Sequence, residues 1–128
     1  MITLRFLNYH VPSQNTRDTM HWAARGRIAK SLLFVARSQM AVDDVCGEGH
    51  FRYVDIMCYR PRLITDDSNY RGGAKTIVDV LKRCGAIHDD SDKFVSITYR
   101  QDLLRNAPNK RPLTIIRVSP DPIPQDTP

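Results

Sequence analysis

Cysteine is scarce in this 128-residue chain, and what there is does not pair. Cys46, Cys58 and Cys84 are widely spaced and form no CxxC. That excludes a disulfide framework and the usual zinc-ligand spacings, and it fits a reducing compartment. Long apolar runs are missing too, so no membrane span is expected. The opening MITLRFLNYHVP lacks the charged-then-apolar layout of a secretory signal, which points to the cytoplasm. Acidic residues are outnumbered, 14 Asp and Glu against 19 Lys and Arg, for a formal charge of +5. Such an excess favours an anionic partner as a class without naming one. Repeats and a second composition are absent, and the length suits one domain with its own core.

What is present reads as an α+β domain over residues 1–119, followed by a Pro-rich, disordered tail at 120–128. Ile2, Leu4 and Phe6 alternate as a first strand, and 11–15 is a loop. Residues 19–42 carry Trp22, Ile28, Leu32, Val35 and Met40 at roughly helical spacing, with arginines and a lysine among them. A second strand at 51–59 is apolar on both faces and is expected inside the sheet. A helix over 69–83 follows, capped by Asn69 and closed by Gly85. Strands at 94–99 and 113–118 complete it. The expected fold is a small mixed sheet of about four strands, order β-α-β-α-β-β, with two packed helices.

The chemistry concentrates in residues 65–93, TDDSNYRGGAKTIVDVLKRCGAIHDDSDK. Two acidic doublets, Asp66-Asp67 and Asp89-Asp90, bracket a helix bearing Lys75. Carboxylates brought together repel unless a cation sits between them, and a hard divalent ion prefers oxygen ligands. A helix over 71–83 is about 20 Å long, and 85–90, if extended, returns about 20 Å, so the second doublet can reach the first. Gly72-Gly73 would admit a phosphate backbone close to the helix start. Carboxylate-held Mg²⁺ with a nearby lysine suits phosphodiester hydrolysis. The competing account is ordinary capping plus a solvated turn. The GAKT stretch lacks the glycines of a nucleotide P-loop, and the acidic run lacks the glycine and final glutamate of an EF-hand.

The order Asp66-x-x-Asn69, Lys75, Asp79-x-Leu81, Gly85-x-Ile87, Asp89-Asp90-Ser91 resembles the RusA-type Holliday-junction resolvases, especially their phage-borne branch. Pro12-Ser13-x-Asn15 with Met20-His21-Trp22-Ala23-x-Arg25 is similar to that family's loop and basic first helix. The resemblance covers roughly residues 3–118. It implies a homodimeric, Mg²⁺-dependent crossover-junction endonuclease, with Mn²⁺ as a substitute. Such an enzyme cuts branched DNA in recombination and repair, in a bacterial or phage-infected cell.

Carried over by position, Asp66, Asp67, Lys75 and Asp90 are catalytic, and Asp66, Asp67, Asp89 and Asp90 bind metal. The departure is Ser68, where the family has aspartate. Either Asp67, one residue away, takes its place, or a ligand is lost and the protein is a weak or inactive junction binder. Arg17, Arg25, Arg27, Lys30, Arg60, Arg62 and Arg71 are the expected DNA contacts. Trp22 is read as core packing rather than base stacking, and His21 is open between phosphate contact and a structural role.

Overall fold

The computed structural model describes residues 1–125. Nine residues of β2 (Arg52–Arg60) run through the middle of a four-stranded sheet of order β1-β4-β2-β3. On one side β2 pairs in parallel with β3 (Val95–Leu103), Ile56 opposite Tyr99. On the other it pairs antiparallel with β4 (Leu113–Ser119), Ile56 opposite Ile116. β1 (Ile2–Leu7) adds antiparallel to β4 and forms the far edge. The sheet is mixed, and β2 is interior as its two apolar faces require. β3 extends beyond the expected end at Tyr99 because its whole length follows β2, out to Arg60 opposite Leu103.

Helices cover one face. Leu4, Phe6, Ile56, Cys58, Ile116 and Val118 point from the sheet into the core. They meet Leu32, Leu33 and Ala36 of α2 (Trp22–Gln39) and Ile77, Val78, Val80 and Leu81 of α4 (Lys75–Arg83). The helix expected over 19–42 is α2, shorter at both ends, and a separate helix that was not expected, α1 (Gln14–Thr19), precedes it, with Met20 and His21 non-helical between them. Ser13 caps α1 by accepting from Thr16 N at 3.1 Å, which draws Asn15 out of the expected loop and into a helix. His21 Nδ1 accepts from Ala23 N at 3.2 Å, starting α2 afresh and giving His21 a structural task.

The second helix divides at Ala74 into α3 (Asp67–Gly73) and α4. Asp66, not Asn69, caps α3, because it stands where the backbone is still extended. Gly85, at φ +85°, ends α4 as expected. Ala86 N and Ile87 N both return to Leu81 O, so the chain turns at once and Ala86 and Ile87 are buried. Trp22 is not core: it is 74% exposed, since it is the first residue of α2 and stands more than two turns before the buried Leu32, Leu33 and Ala36. Of the expected tail, Ile123 is buried, and residues 126–128 lie outside the described residues.

The face of the sheet away from the helices holds one buried ionic knot. Asp55, 1% exposed, accepts from Arg100 Nε and Nη2, both at 2.7 Å, and from Arg117 Nη2 at 2.9 Å. Burial pushes its carboxyl up, but the two guanidinium groups outweigh that and hold it below the ordinary range. These contacts tie β3 and β4 to β2. Asp55→Asn should cost about 3–5 kcal/mol by leaving two arginines without their counter-charge. A depressed folded value means Asp55 stabilises fully above the unfolded carboxyl range and loses that contribution as pH falls through the folded value. The variant's deficit, read by denaturant titration, should therefore stay constant above about pH 4 and narrow below it. Gly26→Ala, where an added Cβ meets nothing within 4 Å, should stabilise by about 1 kcal/mol in the same assay.

Candidate active site

The two resemblance-bearing motifs meet through a backbone contact that leaves no room for a side chain. A Cβ on Gly73 would lie 1.7 Å from the Pro12 carbonyl oxygen, and one on Gly72 would lie 2.4 Å from the Gln14 side-chain oxygen. The glycine pair therefore seats α3 on the loop before α1, and close approach of a phosphate backbone is not its role here. Asn69 Oδ1 accepts from Asn15 N at 3.3 Å, and Arg17 Nε donates to Thr76 Oγ1 at 3.0 Å, holding α1 to the start of α4.

On this platform the first doublet is placed as follows. Asp66 Oδ1 accepts from Ser68 N at 2.9 Å and from Ser68 Oγ at 2.7 Å. The Ser68 hydroxyl, then its backbone N–H, hold the Asp66 carboxyl below its ordinary range. The serine at the departing position is thus a hydrogen-bond donor to the neighbouring carboxylate. Asp67 pairs with Arg71 Nε at 2.6 Å, one helical turn on. The Arg71 guanidinium lies over the Tyr99 ring, 4.9 Å from its centroid, so it reaches from α3 across to β3.

The second doublet follows the tight turn at Gly85. Asp89 pairs with Lys82 Nζ at 3.1 Å, and the lysine, followed by the Asp90 backbone N–H, lowers the Asp89 carboxyl. The segment does not return as an extended strand, because the Gly85 turn folds it against the last turn of α4. Asp90 is exposed and makes no ion pair among the described residues. It lines a cleft of about 400 Å³ together with Arg71, Tyr99, Phe51 and Asp92. One member of each doublet therefore addresses the same cleft: Asp90 directly, Asp67 through Arg71. Among the described residues no three His, Cys, Asp or Glu side chains form a group able to hold a metal ion. Lys75, the first residue of α4, is exposed and also without an ion pair among the described residues.

The expected DNA contacts divide. Arg27, Lys30, Arg62 and Arg71 are exposed, whereas Arg25 is half-buried in a groove of about 260 Å³ with Arg17, Met20 and Thr76. Arg62 borders a second groove of about 490 Å³ with His10, Ser13, Thr16 and Asn69. Arg60 departs from expectation. It is 3% exposed, its Nη2 donates to the Val11 carbonyl and to Cys58 Sγ, and its guanidinium lies over Tyr70. Its charge is used to pin the same loop that Gly73 touches, and with burial it lowers the His10 pKa, burial being the larger effect. Sequence reasoning also passed over Tyr99 and Lys82. The i,i+4 spacing of Asp67 and Arg71 was a usable signal for their pairing; nothing local marks Tyr99, which joins the site only through sheet register.

No protein-family model matches this chain, and no curated protein does either. Among the described residues, no helix is long and apolar enough to cross a membrane.

Ser68→Ala should move the Asp66 carboxyl upward toward its ordinary value, while the remaining backbone N–H keeps it somewhat below. Carboxyl titration by NMR reads this directly; an unmoved Asp66 would show that the hydroxyl does not reach it.

Proposed function

We propose that the protein is a Mg²⁺-dependent, structure-selective endonuclease. It hydrolyses phosphodiesters at four-way junctions and other branched DNA in recombination and repair, leaving a 5′-phosphate. It works as a homodimer, one site for each of two opposed strands, in the cytoplasm of a bacterial or phage-infected cell. The observation that carries this reading is the lining of one cleft by Asp90 of the second doublet and by Arg71, the residue that pairs with Asp67 of the first.

The donor chemistry fits the ion. All candidate ligands are carboxylate oxygens, and Mg²⁺ commonly takes one or two of these, completing its shell with water and substrate phosphate. A preformed group of three is not required. Asp90 with Asp89, and Asp67 with Asp66, are the residues that would hold it. When bound, the ion would activate water and stabilise the leaving oxygen. The Asp67–Arg71 pair is well exposed on both sides, and such pairs contribute only about 0.2–1 kcal/mol, so ligand or phosphate can separate it. Arg71 then has a phosphate to bind and Asp67 is released toward the cleft. Lys75, exposed at the head of α4, neutralises charge on the phosphoryl oxygens. Arg25, Arg27, Lys30 and Arg62 contact flanking phosphates.

A second reading has its own support. Asp66, Asp67 and Asp89 each hold a partner within the chain, Ser68, Arg71 and Lys82 respectively. This is the arrangement expected of a junction-binding protein of the same fold that cleaves weakly or not at all.

Asp90→Asn separates them. It removes a ligand and a charge that repels phosphate, so junction cleavage should fall by roughly a hundredfold or more while binding holds or tightens. Gel assays of nicking and of complex formation on the same synthetic junction measure both. Undiminished nicking by the variant would remove Asp90, and this cleft, from the mechanism.

A further inference from the structure

Arg60 ends β2 at 3% exposure, yet no carboxylate among the described residues pairs with it. Arg117, the other buried arginine, shares Asp55 with Arg100. Arg60 has a carbonyl, a sulfur and a ring instead. Its Nη2 donates to the Val11 carbonyl and to Cys58 Sγ, and its guanidinium carbon lies 5.2 Å from the Tyr70 ring centroid. Pinning the loop occupies Nη2, while Nε is buried with no partner among the described residues. A buried cation without a counter-charge is costly, and an anion arriving from outside removes that cost.

A way in exists. Arg60 lines the groove of about 490 Å³ bordered by His10, the start of α1 and residues 61–65. Arg62 stands exposed on the same groove, with no ion pair among the described residues. No aspartate or glutamate lines it, in contrast to the cleft that holds Asp90 and Asp92. Hydrogen-bond donors are free there as well. Thr16 Oγ1 accepts from Ser13 Oγ at 3.0 Å and keeps its own proton, and Asn69 is engaged through Oδ1, which leaves its amide nitrogen to donate. The charge of Arg60 is felt inside: burial, and then Arg60, lowers the pKa of His10, another lining residue. A strand lying across the surface meets Arg62 at the rim. A phosphate monoester has a single attachment and three terminal oxygens, so it can enter end-on and offer acceptors to both arginines and the free donors. A carboxylate brings fewer oxygens and less charge to the same set.

We propose that this groove is a binding site for a phosphate monoester, either free phosphate or the phosphorylated 5′ end of a strand, with Arg60 at its floor and Arg62 at its rim. The site shares no lining residue with the cleft at Asp90, and it stands whether or not that cleft cuts DNA.

Thermal unfolding in EDTA, with inorganic phosphate or with chloride at equal ionic strength, tests it. Phosphate should raise Tm above the chloride value, since a ligand of the folded state alone stabilises it. Arg62→Gln should weaken phosphate binding on the order of tenfold. Arg62 is exposed, so this variant should keep the parent's circular dichroism. Arg83→Gln removes the same charge at an exposed position outside the groove and should bind phosphate as the parent does. Two oligothymidylates then tell the sources apart. Tighter binding of the 5′-phosphorylated one than of its 5′-hydroxyl counterpart, lost in Arg62→Gln, identifies the strand end. Equal binding of the two, with the Arg62-dependent phosphate effect intact, identifies free phosphate. No stabilisation by phosphate beyond chloride, or the same phosphate affinity in both variants, overturns the site. Junction nicking in Mg²⁺ is read separately: if it fails while phosphate still binds, the nuclease reading alone falls, and if it succeeds while phosphate does nothing, the groove alone does.

Discussion

The close approach of Gly73 to the Pro12 carbonyl fixes everything near the candidate site. With no Cβ at 73, α3 lies directly on the loop that precedes α1. That loop is itself clamped from beneath: Arg60 donates to the Val11 carbonyl, and Val11 N donates to Cys58 Sγ at 3.3 Å. The end of β2, the loop, and α3 are therefore one packed unit. It sets Asp66 at the mouth of α3, sends Arg71 out over Tyr99, and starts α4 with Lys75 exposed. A side chain at position 73 would lift α3 from the loop, and the relation between the two acidic doublets would go with it.

The electrostatics of the site follow from that placement. Carboxylates in a basic chain are satisfied locally, by Ser68, Arg71 and Lys82. The Asp67–Arg71 contact is solvent-exposed and cheap to break, so the cleft is held in a state that an incoming cation or phosphodiester can rearrange at small cost. This contrasts with Asp55, which is buried between a buried arginine, Arg117, and a half-buried one, Arg100, and whose pairing is structural. The same chemical pairing thus serves two purposes, separated by burial.

Much of the fold was legible because its signals are local. Alternation located β1 and most of β3, the two-faced apolarity of 51–59 put β2 inside the sheet, and Gly85 marked the end of α4. What was not legible depends on contacts between distant segments. The glycines at 72 and 73 look like a flexible approach for a ligand until Pro12 and Gln14 are seen against them. Arg60 looks like a phosphate contact until the end of an interior strand buries it. Trp22 looks like core because it is large and apolar, but the break at Met20 and His21 makes it the first residue of α2, at the end of the helix and turns away from the buried Leu32, Leu33 and Ala36. In the site itself, the doublets and Lys75 were visible as residues, while the role of Arg71 needed the register that brings Tyr99 beneath it.

The central claim is that the cleft shared by Asp90 and the Asp67–Arg71 pair cuts branched DNA with a divalent ion. Incubating the protein with a synthetic four-way junction, with and without Mg²⁺, tests it most directly. The account predicts paired, symmetrical nicks across the junction that need the ion and end in 5′-phosphates. Tight junction binding with no nicks in Mg²⁺ or Mn²⁺ would contradict it and leave a protein that recognises junctions without cutting them.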